Sequence, residues 1–492
     1  MRTLKRAAAL RREISAADRI PYAAHVAPSI VRTVYGDYVQ AFRLGGASFE
    51  SSDDGELNNW HERLNVLWRN IAGPTVALWT HVIRRRAGIT VGAGARGSSE
   101  CFFADGLHEK YRHRLANETL MMNELYLAVV HRPTAGMAGG LVSKLLAGVQ
   151  PRSTLILADA LDACEKLAQI LKASLARYEP ELLGVYRVAD LWCSSLLEYL
   201  GLLVNGEAQR MPLPLGPLNG ALATSRLLFG AEAIEYRAPV GARVGAMLGI
   251  KEYPTPSVVG MYNRLLSAPF AFVATQSFSF LTKSSGQSLL QRQFNRMANA
   301  GDFAVSQAAE LKEALDALTS NEFVMGDHHF SLQVLADIAD SDAAGARLKP
   351  VNDAIALARS YLADTGMLVA REDLALEAAF WAQLPGNFPL RPRKAPITSR
   401  NFAAMSPFHN YPLGRARDNH WGDRASLQHL WPGGRPHDCR KLRQHFDSPL
   451  LRERGRRHGA VRVPAHWRSR GTAHHGVDQQ SRQREVGVRL AQ

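Results

Sequence analysis

Three runs of this 492-residue chain have residue types and spacing that could do chemistry. Gly92-Ala93-Gly94-Ala95-Arg96-Gly97 fits G-x-G-x-x-G, a spacing that lets backbone amides approach a pyrophosphate when a strand precedes it and a helix opens directly at it. A strand is predicted before this run, but Ser98 to Asp105 separate it from any helix, so it reads as a loop. His328 and His329 offer two imidazoles, yet neighbours on a strand point to opposite faces and cannot easily share one metal ion, so both read as structural. Arg84-Arg85-Arg86 offers three charges that could meet acidic lipid or a partner; the reading adopted is a solvated strand edge.

Phosphate chemistry of the nucleotide-hydrolysing kind needs G-x-x-x-x-G-K-[ST]: glycine amides approach the phosphates, Lys neutralises them and the hydroxyl binds Mg²⁺. No Gly-Lys dipeptide occurs in the chain, and no apolar strand ends in the matching acidic pair. No Ser/His/Asp or Cys/His arrangement stands out, and His474-His475 reads as compositional. Catalytic, cofactor-binding and metal-binding residues are therefore all assigned as none. Cys101, Cys164, Cys193 and Cys439 lie far apart with no C-x-x-C pair, which predicts reduced thiols.

The formal charge of +14 points towards an anionic partner, but its distribution does not. Residues 424–492 hold 15 Lys and Arg against 5 Asp and Glu, leaving 44 against 40 in the rest. The apolar run 191–204 is shorter than the ~20 residues that span a bilayer and carries Glu198, so it is expected to be a core helix. The basic residues 1–12 precede no apolar core, which predicts a cytosolic chain without signal or transit peptide.

Hydrophobic periodicity lays out the elements. Residues 30–35 and 38–44 alternate around Gly36-Asp37, which predicts a hairpin with a type II′ turn. Leu57, Trp60, Leu64, Leu67 and Ile71 mark a helix, residues 75–83 a strand and residues 122–130 another, with a loop at 132–150. Leu161, Cys164, Leu167, Leu171 and Leu175 share one helical face. Strands are predicted at 226–238, 243–253, 270–280 and 328–335, helices at 308–318 and 345–366, and a short strand at 367–369. Mixed α/β is the expected class.

Residues 377–422 are where this pattern converges. Leu374, Ala378 and Trp381 predict a helix over 371–384, stopped by Pro385-Gly386, and Pro389, Pro392 and Pro396 among Arg391, Arg393 and Lys394 predict a connector. The runs Phe380-Trp381-Ala382-Gln383-Leu384-Pro385-Gly386-Asn387, Ser399-Arg400-Asn401-Phe402-Ala403, His409-Asn410-Tyr411-Pro412 and Asn419-His420-Trp421-Gly422, in this order, resemble the CagE/TrbE/VirB family of type IV secretion ATPases. Weaker likenesses lie in Gly36-Asp37-Tyr38, Trp60-His61-Glu62-Arg63-Leu64-Asn65, His81 to Arg86 and Gly326-Asp327-His328-His329, and the first three favour the VirB branch. The resemblance implies an amino-terminal α/β domain that leads to a RecA-like motor using ATP and Mg. It also implies partners among other type IV secretion subunits, self-association, and a place on the cytoplasmic face of the inner membrane.

No phosphate loop follows those motifs here. From Arg424 on there are 14 Arg against one Lys, seven His, and no Ile, Asn, Tyr or Met. That is the usage of GC-rich codons read in a wrong frame, so a frameshift near codon 424 is expected, with a disordered tail. The expected organisation is an amino-terminal α/β subdomain (1–150), a central α/β domain (151–385), a linker (386–423) and an out-of-frame tail (424–492). The expected role is docking and assembly without ATPase activity of the chain's own. The alternative is nucleic-acid binding through the Arg-rich tail, whose only aromatic residues are Trp431, Phe446 and Trp467.

Overall fold

The computed structural model describes residues 15–86, 120–133, 153–238, 241–299, 305–338 and 344–411, with a few further positions between 106 and 114. The loop 134–150, the Gly92 to Gly97 run, Cys101, Cys439, the Asn419-His420-Trp421-Gly422 motif and the tail lie outside the described residues. Residues 87–120 and 413–486 form a second unit, described at only a few positions; everything below concerns the first.

Alternating and continuously apolar runs build fifteen described strands: β1 (Tyr22–Ala27), β2 (Ile30–Thr33), β3 (Tyr38–Leu44), β4 (Val76–Arg86), β5 (Met121–His131), β6 (Glu181–Leu182), β7 (Val185–Val188), β8 (Leu191–Ser194), β9 (Arg226–Phe229), β10 (Ile234–Arg237), β11 (Ala242–Glu252), β12 (Ala271–Phe280), β13 (Met325–Ile338), β14 (Leu368–Arg371) and β15 (Ala395–Thr398). Thirteen join one sheet in the order β1-β2-β3-β5-β4-β12-β13-β11-β10-β9, with β14 on β11, β15 on β13 and β6 on β3, while β7 and β8 pair separately. All the described strand pairings are antiparallel, so the mixed helix-and-sheet class holds in an antiparallel form.

The central strands β4, β12 and β13 are buried almost throughout because both faces of the sheet are covered. On one face Leu78, Leu127, Phe272 and Leu332 pack against Trp60, Leu64 and Trp68 of the helix Asp54–Ile71 and Val351 and Leu362 of the helix Ala344–Ala363. On the other, Trp79, Ile83, Ala128 and Val273 meet Leu196 and Leu200 of the helix Ser195–Asn205 together with Phe380, Trp381 and Leu384. Side-chain oxygens cap the entering helices: Asp53 accepts from the Glu56 amide and Ser194 from the Leu197 amide.

The structure corrects several local expectations. The turn at Gly36 is not type II′: the Gly36 amide donates to Thr33 and the Thr33 amide to Asp37, and Gly36 sits last in the turn with φ +85°, a three-residue loop ending in a left-handed glycine. Residues 191–194 are strand, and the apolar helix is only Ser195–Asn205, although it is a core helix as expected. The helix expected over 371–384 shrinks to Leu376–Trp381 because Arg371 belongs to β14, and Leu374, assigned to its apolar face, is fully exposed at 101%. Periodicity missed β1 and the helix Lys283–Asn299, which forms a hairpin with Val305–Thr319 around Leu290, Leu311 and Leu318. Proline-rich 388–398 contains a short 3₁₀ turn and then β15, paired with β13 from Met325 to His328.

Candidate functional site

Strand β4 organises the stretch that carries the family-like motifs. Trp79 and His81 are two residues apart and so share a face. On that face Trp79 Nε1 donates to the Ala382 carbonyl at 3.1 Å, His81 Nε2 to the Gln383 carbonyl at 2.9 Å and the Tyr22 hydroxyl to the Pro385 carbonyl at 3.0 Å. The Tyr199 hydroxyl donates to His81 Nδ1 at 2.7 Å, which fixes the tautomer that donates from Nε2. Burial pushes the His81 pKa down to about 3, so the imidazole is neutral. Asn387 closes the turn by donating to the Trp381 and Arg19 carbonyls at 2.9 and 3.0 Å, and Gly386 takes φ +95°, a conformation that favours glycine.

The same stretch then crosses to the opposite face. β15 extends the ladder of β13 at the sheet edge, Thr398 caps the helix Ser399–Met405 through the Asn401 amide, and Phe402 stacks on Phe278 at 4.7 Å. The Thr80 hydroxyl meets that of Ser406 at 3.1 Å, and Gln276 Nε2 donates to the Met405 carbonyl at 2.9 Å. His61 reaches the Arg400 carbonyl at 2.8 Å, the Ser399 hydroxyl donates to Asn65 at 2.7 Å, and the Asn410 amide donates to the Ala47 carbonyl at 2.9 Å. Residues 376–411 therefore clasp the centre of the sheet from both sides.

Arg84 is where the sequence reading fails most clearly. It is 1% exposed rather than solvated, and donates to the Ala268 and Leu266 carbonyls and to Asn123 Oδ1. Burial lowers its pKa to about 10. Arg85 forms a two-pronged pair with Glu124, and only Arg86 is largely exposed, beside Asp337. A run of three arginines carries no signal of this kind, because the burial comes from the 264–268 segment folding over β4.

His328 and His329 point to opposite faces, as expected. The first lies between the Tyr253 hydroxyl at 2.9 Å and Gln276 Oε1 at 3.1 Å, and the second is buried beside Arg391; burial pushes both down to about 3. Among the described residues no group of three or more His, Cys, Asp or Glu could hold a metal ion, and Cys164 and Cys193 are free buried thiols. A cavity of about 190 Å³ between Met211, Pro212, Leu218 and Leu222 is smaller than the roughly 300–1,000 Å³ of small-molecule sites. The described arrangement binds carbonyls with buried neutral side chains, which suits holding rather than proton transfer.

Comparison with known proteins matches residues 181–393 to the CagE, TrbE, VirB family, component of type IV transporter system, and residues 29–138 to the type IV secretion system ATPase VirB4/TrbE, N-terminal domain. The chain is 40% identical over 420 residues to the type IV secretion system protein virB4 of Bartonella quintana, covering 85% of this chain and 52% of that one. It is 35% identical over 463 residues to virB4 of Brucella suis (91% and 54%) and 36% over 434 residues to the PtlC homolog of Bordetella bronchiseptica (87% and 51%). The chain spans about half the length of these curated relatives. With both matched regions contributing strands to one sheet and the clasp bearing the motifs that first suggested the likeness, the chain belongs to the CagE/TrbE/VirB family of type IV transporter components.

Proposed function

We propose that this chain acts in docking and assembly within a type IV secretion system, as the amino-terminal part of an ATPase, and does not itself hydrolyse ATP. The observation that carries this reading is the clasp: residues 376–411 are hydrogen-bonded to both faces of one sheet, which suits a rigid platform. The missing G-x-x-x-x-G-K-[ST] supports the second half. In the whole protein, ATP and Mg would supply the energy for assembly or substrate transfer. The partners are other secretion subunits, together with copies of itself, at the cytoplasmic face of the inner membrane. No helix among the described residues is long and apolar enough to cross a membrane, which is compatible with peripheral attachment.

Purified chain mixed with ATP and Mg²⁺ is expected to show no turnover above a buffer control, while co-purifying with membrane-complex subunits. Turnover, or failure to retain any secretion subunit, would overturn the reading. An out-of-frame origin for residues 424–492 belongs to the same proposal; translating the other two frames downstream of codon 423 is expected to reveal a phosphate loop. Nothing in the described residues favours nucleic-acid binding. Loss of salt-dependent binding on deleting residues 424–492 would revive that alternative.

A further inference from the structure

The apolar run 191–204 divides in two. Its helix, Ser195–Asn205, is mostly buried, but Leu191 and Trp192 ahead of it on β8 are 61% and 55% exposed. β7 and β8 form a hairpin that pairs apart from the large sheet, and residues 211–213 run alongside it. The Ser194 amide donates to the Met211 carbonyl at 3.0 Å and the Leu213 amide to the Trp192 carbonyl at 2.9 Å. This antiparallel register leads towards the β7–β8 turn and carries Leu215, which is fully exposed, to the same end.

The base of the hairpin is tied down. The Val185 amide donates to the Pro28 carbonyl at 2.9 Å, and His25 of β1 bonds the Ser194 hydroxyl at 3.0 Å. The tip stands clear. Neighbours on a strand point to opposite faces, so exposure of both Leu191 and Trp192 means that both faces of the tip are open. A flat protein surface covers one face of such a projection, whereas a lipid layer surrounds whatever enters it.

Charge favours a lipid layer with anionic headgroups. Arg187 lies 5.8 Å from the Trp192 ring centroid and pairs with Asp190 at 3.3 Å, while Arg210 is exposed and Glu207 half-buried, so the tip itself is balanced. The surplus arrives with residues 1–14, which carry Arg2, Lys5, Arg6, Arg11 and Arg12 against Glu13. They lead into Ser15 beside the helix Leu218–Leu222, whose Asn219 donates to the Ala17 carbonyl at 3.2 Å. That helix begins three residues after Leu215, so the basic segment joins the protein on the element next to the apolar tip.

We propose that the β7–β8 tip enters the outer part of a bilayer bearing anionic headgroups, with Leu191, Trp192 and Leu215 at the acyl boundary and Arg187 and Arg210 beside the phosphates. This rests on the peripheral attachment proposed above and gives that attachment a surface. Tryptophan suits the place, since its ring is apolar and its N–H stays at headgroup level. Three side chains anchor reversibly and span nothing.

The test mixes the full chain with vesicles of phosphatidylethanolamine and phosphatidylglycerol in about 0.5 M salt, which screens the amino-terminal and tail charges. The parent is expected to sediment with them. The variant Leu191→Ser/Trp192→Ser/Leu215→Ser is expected to partition about tenfold more weakly with an unchanged melting temperature, because all three side chains are exposed. Lipids brominated on their acyl chains are expected to quench the parent's tryptophan fluorescence, and Trp192→Phe to keep binding while losing most of that quench. Undiminished binding of the triple variant, or undiminished quenching of Trp192→Phe, would overturn the tip and leave attachment through another surface standing. No binding of the parent to protein-free vesicles would overturn direct lipid attachment as well. Sedimentation only with vesicles that hold reconstituted secretion subunits, lost in the triple variant, would give the tip a protein partner and overturn the lipid assignment.

Discussion

His81 Nε2 lies 2.9 Å from the carbonyl oxygen of Gln383, 302 residues further along the chain, while Tyr199 holds the other ring nitrogen. One neutral imidazole thus joins the fourth strand, a core helix and the QLPGN run. In His81→Phe the ring is kept, but both the Gln383 carbonyl and the Tyr199 hydroxyl are left buried without this partner. The expected loss is about 1–3 kcal/mol for each group stranded, read from urea unfolding followed by tryptophan fluorescence.

Stability is expected to fall as the pH drops below about 6.5. Burial pushes His81, His328 and His329 down to about 3 and His409 to about 4, so in the folded state they stay neutral where the unfolded chain binds protons. More protons bound to the unfolded state means that stability rises with pH across roughly pH 4–6.5 and is level, as far as these groups go, above it. Asp37, raised to about 6 by burial, and Glu372, raised by the same cause, act in the opposite direction. Four histidines against two carboxyls leave a net loss on acidification. Melting temperatures measured from pH 7.5 to 4.5 that rose on acidification would refute this balance.

The three consecutive arginines should behave differently. Arg84→Lys loses the planar fork that serves two carbonyls and Asn123, and is expected to cost about 1–3 kcal/mol for each buried acceptor that it leaves without a donor. Arg86→Ala removes an exposed partner of Asp337 and is expected to change stability by less than about 1 kcal/mol. Equal effects in denaturant titrations of the two variants would contradict the burial of Arg84.

Gly326 packs so tightly that a Cβ would meet the Phe278 ring at 2.5 Å, and Phe278 in turn stacks on Phe402 of the clasp. Gly326→Ala is expected to destabilise by about 1–3 kcal/mol through overpacking. Limited proteolysis should then show earlier cleavage within 395–411 than in the parent chain; unchanged protection there would uncouple Gly326 from the clasp.

The division between what was legible and what was not runs along the range of the interactions. Strands β4, β5, β11, β12 and β13 and the helix Asp54–Ile71 could be read locally because strands covered on both faces leave long apolar runs and a helix covered on one face leaves a repeat of 3.6. Family membership was legible in the linked motifs of residues 380–411, and the absence of a phosphate loop in dipeptide content alone. The roles of those motif residues were not legible. Nothing local tells that Gln383 offers its carbonyl to His81, that Arg84 lies beneath 264–268, or that Leu374 faces water while Leu376 is buried.

Residue order and type were enough to give the mixed class, the order of the main elements and the family. Tertiary structure alone decided that residues 376–411 clasp the sheet and that His81, Thr275 and Ser331 of three strands fall into one row beside Gly249 of a fourth. Register and face are set when distant strands pair, and a polar atom's partner is chosen by which backbone passes within about 3 Å of it, a distance that chain order does not encode.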